Sequence, residues 1–280
     1  MKITEKVHLL KILFKIPIAP DKHIDRFVNV FIIAGEKIHL IDSGVKGSHD
    51  FIFDYLGKIG RDENEIASLI LTHSHPDHIG AAKSIKENTN CRIFANPIEA
   101  GWIQDVNKQF AERPVPGFFD LVEGSVKIDQ FVTNDENIQL ERDINVRTIF
   151  TPGHSPGSTC YHYIEEKVLF SGDAVLLPGE MPILTNYSDY LKSIEKIQSL
   201  HNFEILFSAW DEPRYGDKII SVIENSSNYV QLIRKTVRDI VTESTNISSI
   251  DFCKSVLEKL KMPTGIANPL LLKSFQAVLE

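Results

Sequence analysis

Three histidines and an aspartate fall within six residues at His73-Ser74-His75-Pro76-Asp77-His78, directly behind the apolar run Ser68-Leu69-Ile70-Leu71. A short apolar run of this kind reads as a buried strand. The polar cluster then stands at the strand's C-terminal end, ahead of a helical pattern that starts near His78. Alternation sets His73, His75 and Asp77 on one side, and the turn at Pro76 swings His78 back toward the same point. Neutral imidazole and carboxylate are the donors that Zn, Fe or Mn take. On composition alone, such a spacing arises in on the order of one chain in a thousand. The chain gives up strand propensity here to hold a metal.

The rest of the chain alternates strand and helix patterns. Residues 7–16, 26–34 and 37–41 read as strands, the first closed by Pro17 and Pro20 and the last two joined by a turn at Gly35-Glu36. Residues 48–59 carry apolar side chains at helical spacing, with Ser48 as cap and Gly60 beyond the end. Residues 62–66 form a short helical turn before the strand at 68–71. A helix over 78–87, a strand at 91–95 and a helix from Pro97 to about residue 111 follow. Residues 113–124 break the periodicity, with two prolines and two adjacent phenylalanines, and are either a loop flanking a pocket or a packed connector. Strands are expected at 125–131, 137–140, 145–150, 159–164, 167–171 and 204–207, with a helix at 188–200. From Gly216 the composition shifts to helical patterns at 217–241, 251–260 and 269–279, the first of them one helix or two broken at Asn225-Ser226-Ser227-Asn228.

A chain of 280 residues, 42% apolar and 24% charged, suits one large globular domain or one domain plus a helical appendage. A formal charge of −8 argues against a nucleic-acid substrate, which leans on a basic surface. The three cysteines Cys91, Cys160 and Cys253 are odd in number and widely spaced, which fits a reducing cytoplasm better than a disulfide framework. No apolar core follows the first six residues, so no secretory leader is expected, and no run approaches a membrane span.

Residues 72–80, Thr-His-Ser-His-Pro-Asp-His-Ile-Gly, resemble the signature motif of the metallo-β-lactamase-fold superfamily. That superfamily includes glyoxalase II-type thioesterases, quorum-sensing lactonases, flavodiiron proteins, persulfide dioxygenases and RNA-processing nucleases. Further motifs resemble the family's in the same order, over residues 7–211. Asp42-Ser43-Gly44 matches an Asp-x-Gly whose aspartate supports the metal loop by hydrogen bonding. Thr151-Pro152-Gly153-His154-Ser155-Pro156-Gly157 matches the turn that presents a third histidine ligand, His154. Gly172-Asp173 matches the motif whose aspartate bridges two metals.

The resemblance implies an α/β fold, a four-layer αβ/βα sandwich. It would occupy residues 1–213, with a helical C-terminal extension over 214–280. His73, His75 and His154 would hold one divalent metal, Asp77 and His78 a second, and Asp173 would bridge them. Two ions, Zn first and Fe or Mn otherwise, would activate water for hydrolysis of a small ester, thioester or lactone, with Asp77 as proton shuttle. The pattern fails at the end of the last strand, where the family's final histidine is replaced in Ser208-Ala209-Trp210-Asp211-Glu212-Pro213. Trp210 stands in register with it and cannot ligate, which leaves Asp211 to fill the vacancy and would favour a harder ion there. Residues 175–187 are where family members close a substrate pocket. The expected partner is a small-molecule substrate, with no nucleic acid and no membrane, and a homodimer stays open. The rival readings are an iron-dependent redox enzyme, a nuclease and a non-catalytic metal-binding module.

Overall fold

Runs of β-branched and aromatic residues pair into two six-stranded sheets. The structure, a computed structural model, describes residues 1–19, 22–242 and 246–280. In the first sheet the strands follow chain order: β1 (Val7–Ala19), β2 (Lys22–Ala34), β3 (Ile38–Ile41), β4 (Ile66–Ile70), β5 (Arg92–Ala95) and β6 (Gln130–Phe131). The second contains β7 (Asn137–Glu141), β8 (Ile144–Phe150), β9 (Thr159–Tyr163), β10 (Val168–Gly172), β11 (Ile205–Ser208) and β12 (Arg214–Tyr215), again in order across the sheet.

Alternate faces of these strands fill three separate cores. Between the sheets, Phe31, Phe170 and Phe207 stack with centroids 5.1, 5.0 and 5.6 Å apart, among Ile41, Ile70, Tyr161 and Tyr163. Outside the first sheet, Val30, Ile32, Leu40 and Leu69 pack on Ile52 and Leu56 of the helix Ser48–Lys58 and on Ile85 of the helix Ala82–Thr89. Outside the second, Cys160, Leu169 and Leu206 share a core with Tyr190 and Ile194 of the helix Tyr187–Gln198. Val230 and Ile233 of the long helix Asp217–Val241 belong to that core too, and so do Val256 and Phe275 of the helices Ile250–Lys259 and Pro269–Ala277. This is the four-layer αβ/βα sandwich, and the C-terminal helices lie in its outer layer. At ~1.5–3 kcal/mol for each large apolar side chain buried, each of the three cores matters to stability. No helix among the described residues is long and apolar enough to cross a membrane.

Several boundaries differ from the sequence reading. β1 runs through Pro17 to Ala19, because it is an edge strand, where a missing amide donor is tolerated. Pro20 lies outside the described residues. The expected helix at 78–87 is two, Pro76–Ile79 and Ala82–Thr89, separated at Gly80. A Cβ on Gly80 would stand 2.3 Å from the Leu121 carbonyl oxygen and 2.5 Å from the Val45 backbone, so the chain is pinned there. The helix expected from Pro97 breaks at Asp105, whose carboxylate caps the segment Val106–Glu112 by accepting from the Asn107 and Lys108 amides. Of residues 125–131 only Gln130–Phe131 pair as a strand. The helix Asp217–Val241 does not break at Asn225–Asn228, since Ser226 is buried there with its hydroxyl 2.7 Å from that of Tyr190. β12 was not anticipated.

The strand ends decide where chemistry can sit. β8 and β10 run parallel to each other through β9, and β11 is parallel to β10, so all three end at the same edge. β3 and β4 are also parallel to each other. The sheets are tied there by backbone bonds from Thr159 N to Thr72 O (3.0 Å) and Asn29 N to Ala209 O (2.8 Å), and by Tyr161 Oη donating to Leu71 O at 2.9 Å.

Candidate metal centre

β4 ends at Ile70, and the loop behind it delivers His73, His75, Asp77 and His78. β8 ends at Phe150 and the following turn delivers His154; β10 ends at Gly172 and Asp173 follows. Two turns need glycine. Gly153 has φ +126°, and a Cβ on it would lie 2.4 Å from the Tyr190 backbone. Gly172 has φ +52°, and its Cβ would lie 2.8 Å from Thr72 Oγ1. A side chain at either position would push the following residue away from the centre.

The side chains converge in two sets that share Asp173. One ligand atom from each of His73, His75, His154 and Asp173 lies within 4.8 Å of the others, and the same holds for Asp77, His78 and Asp173. His154 Nε2 is 3.3 Å from Asp173 Oδ2 and 2.9 Å from His75 Nδ1, while His78 Nε2 is 3.2 Å from Asp173 Oδ1. Among the described residues, His73 Nε2 and His75 Nε2 are buried without a hydrogen-bond partner, and His78 Nε2 and Asp173 Oδ1 have no hydrogen bond beyond their contact with each other. Orphaned buried donors and acceptors are costly unless something satisfies them. Four such atoms divided between the two sets, three of them on imidazoles, fit divalent cations.

Electrostatics agree at the three-histidine set. Burial pushes His73 and His75 well below the ordinary imidazole value and lowers His154 to about 4, so all three are neutral, the state in which imidazole binds a metal. Against burial, His78 and His154 hold the Asp173 carboxyl well below the carboxylate range. Also against burial, Asp173, Asp42 and Asp77 raise His78. Burial raises the Asp77 carboxyl.

Each set has a main support. Asp42, buried at the end of β3 with φ +61°, accepts from Thr72 N and Thr72 Oγ1, both at 2.8 Å, and lies 2.7 Å from His78 Nδ1. Its left-handed backbone costs roughly 1 kcal/mol, and three hydrogen bonds hold it there. The His154 side is held by Glu99, a residue that no sequence pattern singled out. Its buried carboxylate accepts from Ser74 N at 3.1 Å, Ser155 Oγ at 2.8 Å, Gly157 N at 2.6 Å and the Ser74 hydroxyl, so it clamps the two histidine loops together. Gln109 Nε2 adds a bond to Ser74 O at 2.6 Å, and His154 Nδ1 lies 3.0 Å from Ile183 O. A glutamate at a helix start looks like any first-turn acid in sequence, so no signal marked it.

Asp211 is a correction. It belongs to neither set of donors, because β12 folds back on β11 and brings Arg214 against it. Arg214 Nε is 2.6 Å from Oδ2 and Nη2 2.7 Å from Oδ1, and Oδ1 also accepts from Glu212 N at 2.8 Å. Trp210 does face the centre, with its indole Nε1 donating to Asp173 Oδ2 at 3.1 Å.

A cleft of about 900 Å3, open solvent included, leads to these residues. Its walls are mostly apolar: Phe14, Ile16, Val115, Leu121, Val175, Leu176, Leu177, Met181, Ile183, Trp210 and Leu270. Residues 113–124 therefore do both things considered for them. Arg113 and Val115 line the cleft, while Phe118 and Leu121 pack in the core. At the cleft Arg26 is ion-paired with Glu180 at 2.7 Å and lies 5.6 Å over the Trp210 ring.

A family model described as the metallo-beta-lactamase superfamily matches residues 23–209. The chain is similar to a probable metallo-hydrolase of Bacillus subtilis, YqgX, at 27% identity over 150 residues, which is 53% of this chain and 66% of that protein. It is also similar to the beta-lactamase-like protein 2 homolog of Caenorhabditis elegans, 24% identical over 233 residues, 81% of this chain and 70% of that protein. Among solved structures, a metallo-beta-lactamase family protein from Thermus thermophilus superposes with a TM-score of 0.73 at 17% identity, covering 96% of this chain and 92% of that one. At that identity the likeness is one of fold.

Proposed function

The chain belongs to the metallo-beta-lactamase superfamily, and from that premise we propose that it is a metal-dependent hydrolase of small esters, thioesters or lactones with an apolar acyl part. The observation that carries this reading is the set of orphaned His and Asp atoms at the end of an apolar cleft. His73, His75, His154 and Asp173 would hold one divalent ion, and Asp77, His78 and Asp173 a second, with Zn the first candidate and Fe or Mn the others. Bound there, such ions supply Lewis acidity and water that is nucleophilic near neutral pH.

The chain's own residues do the rest. Leu176, Leu177, Met181 and Ile183 take the acyl part and exclude bulk water. Trp210 fixes one oxygen of Asp173, and Asp42 fixes one edge of His78, so neither ligand has to reorganise during turnover. Asp77 faces the cleft with its carboxyl raised by burial, which suits it to take a proton from the attacking water and pass it to the leaving group.

The test is metal analysis of protein purified without added metal, paired with a panel of aryl esters, acyl thioesters and acyl lactones of rising chain length. Turnover should grow with the apolar acyl part, vanish on chelation and return with a divalent ion. Fully metal-loaded protein that turns over no member of the panel would sink the hydrolase reading.

A further inference from the structure

The cleft holds two arginines, and they differ in one respect. Arg26 is matched by Glu180. The Arg113 guanidinium has no hydrogen bond or ion pair among the described residues, although it lines the cleft beside His75, Asp77, His154 and Asp173. The carboxylates whose charge reaches it are Asp77, Glu99 and Asp173. All three are committed elsewhere: Glu99 accepts four hydrogen bonds from the histidine loops, and Asp77 and Asp173 belong to the donor sets. Once cations occupy those sets, the charges of Asp77 and Asp173 are taken up, and Glu99, bonded to the histidine loops, makes no ion pair with Arg113.

The backbone holds Arg113 in place. It ends the helix Val106–Glu112, with its amide bonded to Gln109 O at 2.7 Å, and Pro114 follows, which disfavours continued helix. Gln109 in turn bonds the histidine loop. A half-buried guanidinium with five unspent donors, fixed to the same scaffold as the metal ligands, is built to meet a planar anion.

We infer that Arg113 is a specificity-determining residue that selects acyl substrates carrying a free carboxylate, which it pairs with bidentately inside the cleft. This rests on the hydrolase reading for its turnover and extends it by naming the charge of the substrate. Burial, which lowers the guanidinium to about 10, leaves it charged at neutral pH and makes an unpaired state costly.

The test uses metal-loaded protein and matched p-nitrophenyl esters: butyrate, pentanoate and hexanoate against the mono-esters of succinate, glutarate and adipate. In the parent, at least one carboxylated ester should be preferred over its neutral partner by about tenfold in kcat/KM, chiefly through KM, the size expected of one charge-assisted pair. Arg113→Gln should collapse that ratio toward one, and Arg113→Lys should restore part of it. The same carboxylate preference in parent and Arg113→Gln overturns the inference. Calorimetry of glutarate and uncharged glutaramide separates the two proposals. Glutarate binding weakened about tenfold in Arg113→Gln, with metal content equal and no ester cleaved, supports the arginine's role and sinks the hydrolase reading. Equal glutarate affinity in both proteins sinks the arginine's role whatever the turnover.

Discussion

The two sets of donors at the centre are built differently. His73, His75, His154 and Asp173 come from three separate loops on both sheets, and nothing but the packed sandwich brings them together. Asp77 and His78 are neighbours on one short helix, and only their shared partner Asp173 comes from the other sheet. Support follows this division in part. Glu99 bridges the β4 loop to the β8 loop, whereas Asp42 acts within the first sheet, on His78 directly and on His73 through Thr72, whose Oγ1 lies 3.0 Å from His73 Nδ1. A set assembled across sheets depends on its clamps, while a set assembled within a loop depends on local turns.

The largest effect should come from removing a donor that spans the sheets. His154→Ala takes away the only donor of the β8 loop; the affinity for the first ion and the turnover should drop by more than about 100-fold, beyond what supporting residues cost, while the second set keeps its ion. His78→Ala should strip one ion and leave the three-histidine set loaded. Metal counts by elemental analysis read both. Loss of both ions in either variant would mean that the sets do not fill independently.

A step smaller are the clamps. Glu99→Gln leaves Ser74, Ser155 and Gly157 with an uncharged partner that accepts through one oxygen alone, and it should weaken the first ion by roughly 10–100-fold and lower stability by about 2 kcal/mol. Asp42→Asn suits the same left-handed backbone, and its effect should fall mainly on the second ion, whose His78 it touches directly, with a smaller one on the first through Thr72 and His73. Competition with a chromogenic chelator gives each affinity. If Asp42→Asn weakens the three-histidine set as much as Glu99→Gln does, the division of support is wrong.

The smallest effect lies at a different junction between the sheets. Glu141 on β7 accepts from the Glu36 amide at 2.9 Å and the Lys37 amide at 2.6 Å, and lies 3.1 Å from His39 Nε2. Against burial, those amides hold its carboxyl below the ordinary value of 4.5. A carboxyl held low in the fold adds stability above its unfolded value and loses it as pH falls through the folded value. Thermal melts should therefore decline below about pH 4.5 in the parent and less steeply in Glu141→Gln, which starts lower at pH 7 by about 1–2 kcal/mol. Metal content at pH 7 should not change, since Glu141 belongs to neither set of donors. A parallel pH curve in the variant would remove this junction from the account.

The residues of the centre were largely legible because the chain states them locally. His73, His75, Asp77 and His78 stand in six residues behind a strand, and His154 and Asp173 each follow a strand end with a glycine turn beside them. The fold was legible through the resemblance those motifs carry, and two sheets with helices outside do bring the strands that end in donors to one edge. Element boundaries were less legible. Gly80 and Asp105 interrupt helices through contacts that periodicity does not contain, and Pro17 is tolerated because β1 is an edge strand, a fact about its neighbours.

Asp211 shows the limit most directly. Sequence offered a carboxylate at the right place in the chain, and the fold spent it on Arg214, three residues on, because β12 turns back against β11. Glu99 shows the converse: an ordinary helix-start acid becomes the clamp of the centre because two remote loops close over it. Sequence alone determined which atoms could bind a metal and on which strand ends they stand, since ligand chemistry and strand pattern are local properties. The tertiary structure alone decided which carboxylates are free, which are consumed by a neighbour, and that Arg113 faces the cleft with no partner among the described residues. Those depend on distances between residues far apart in the chain, and spacing along the chain does not encode them.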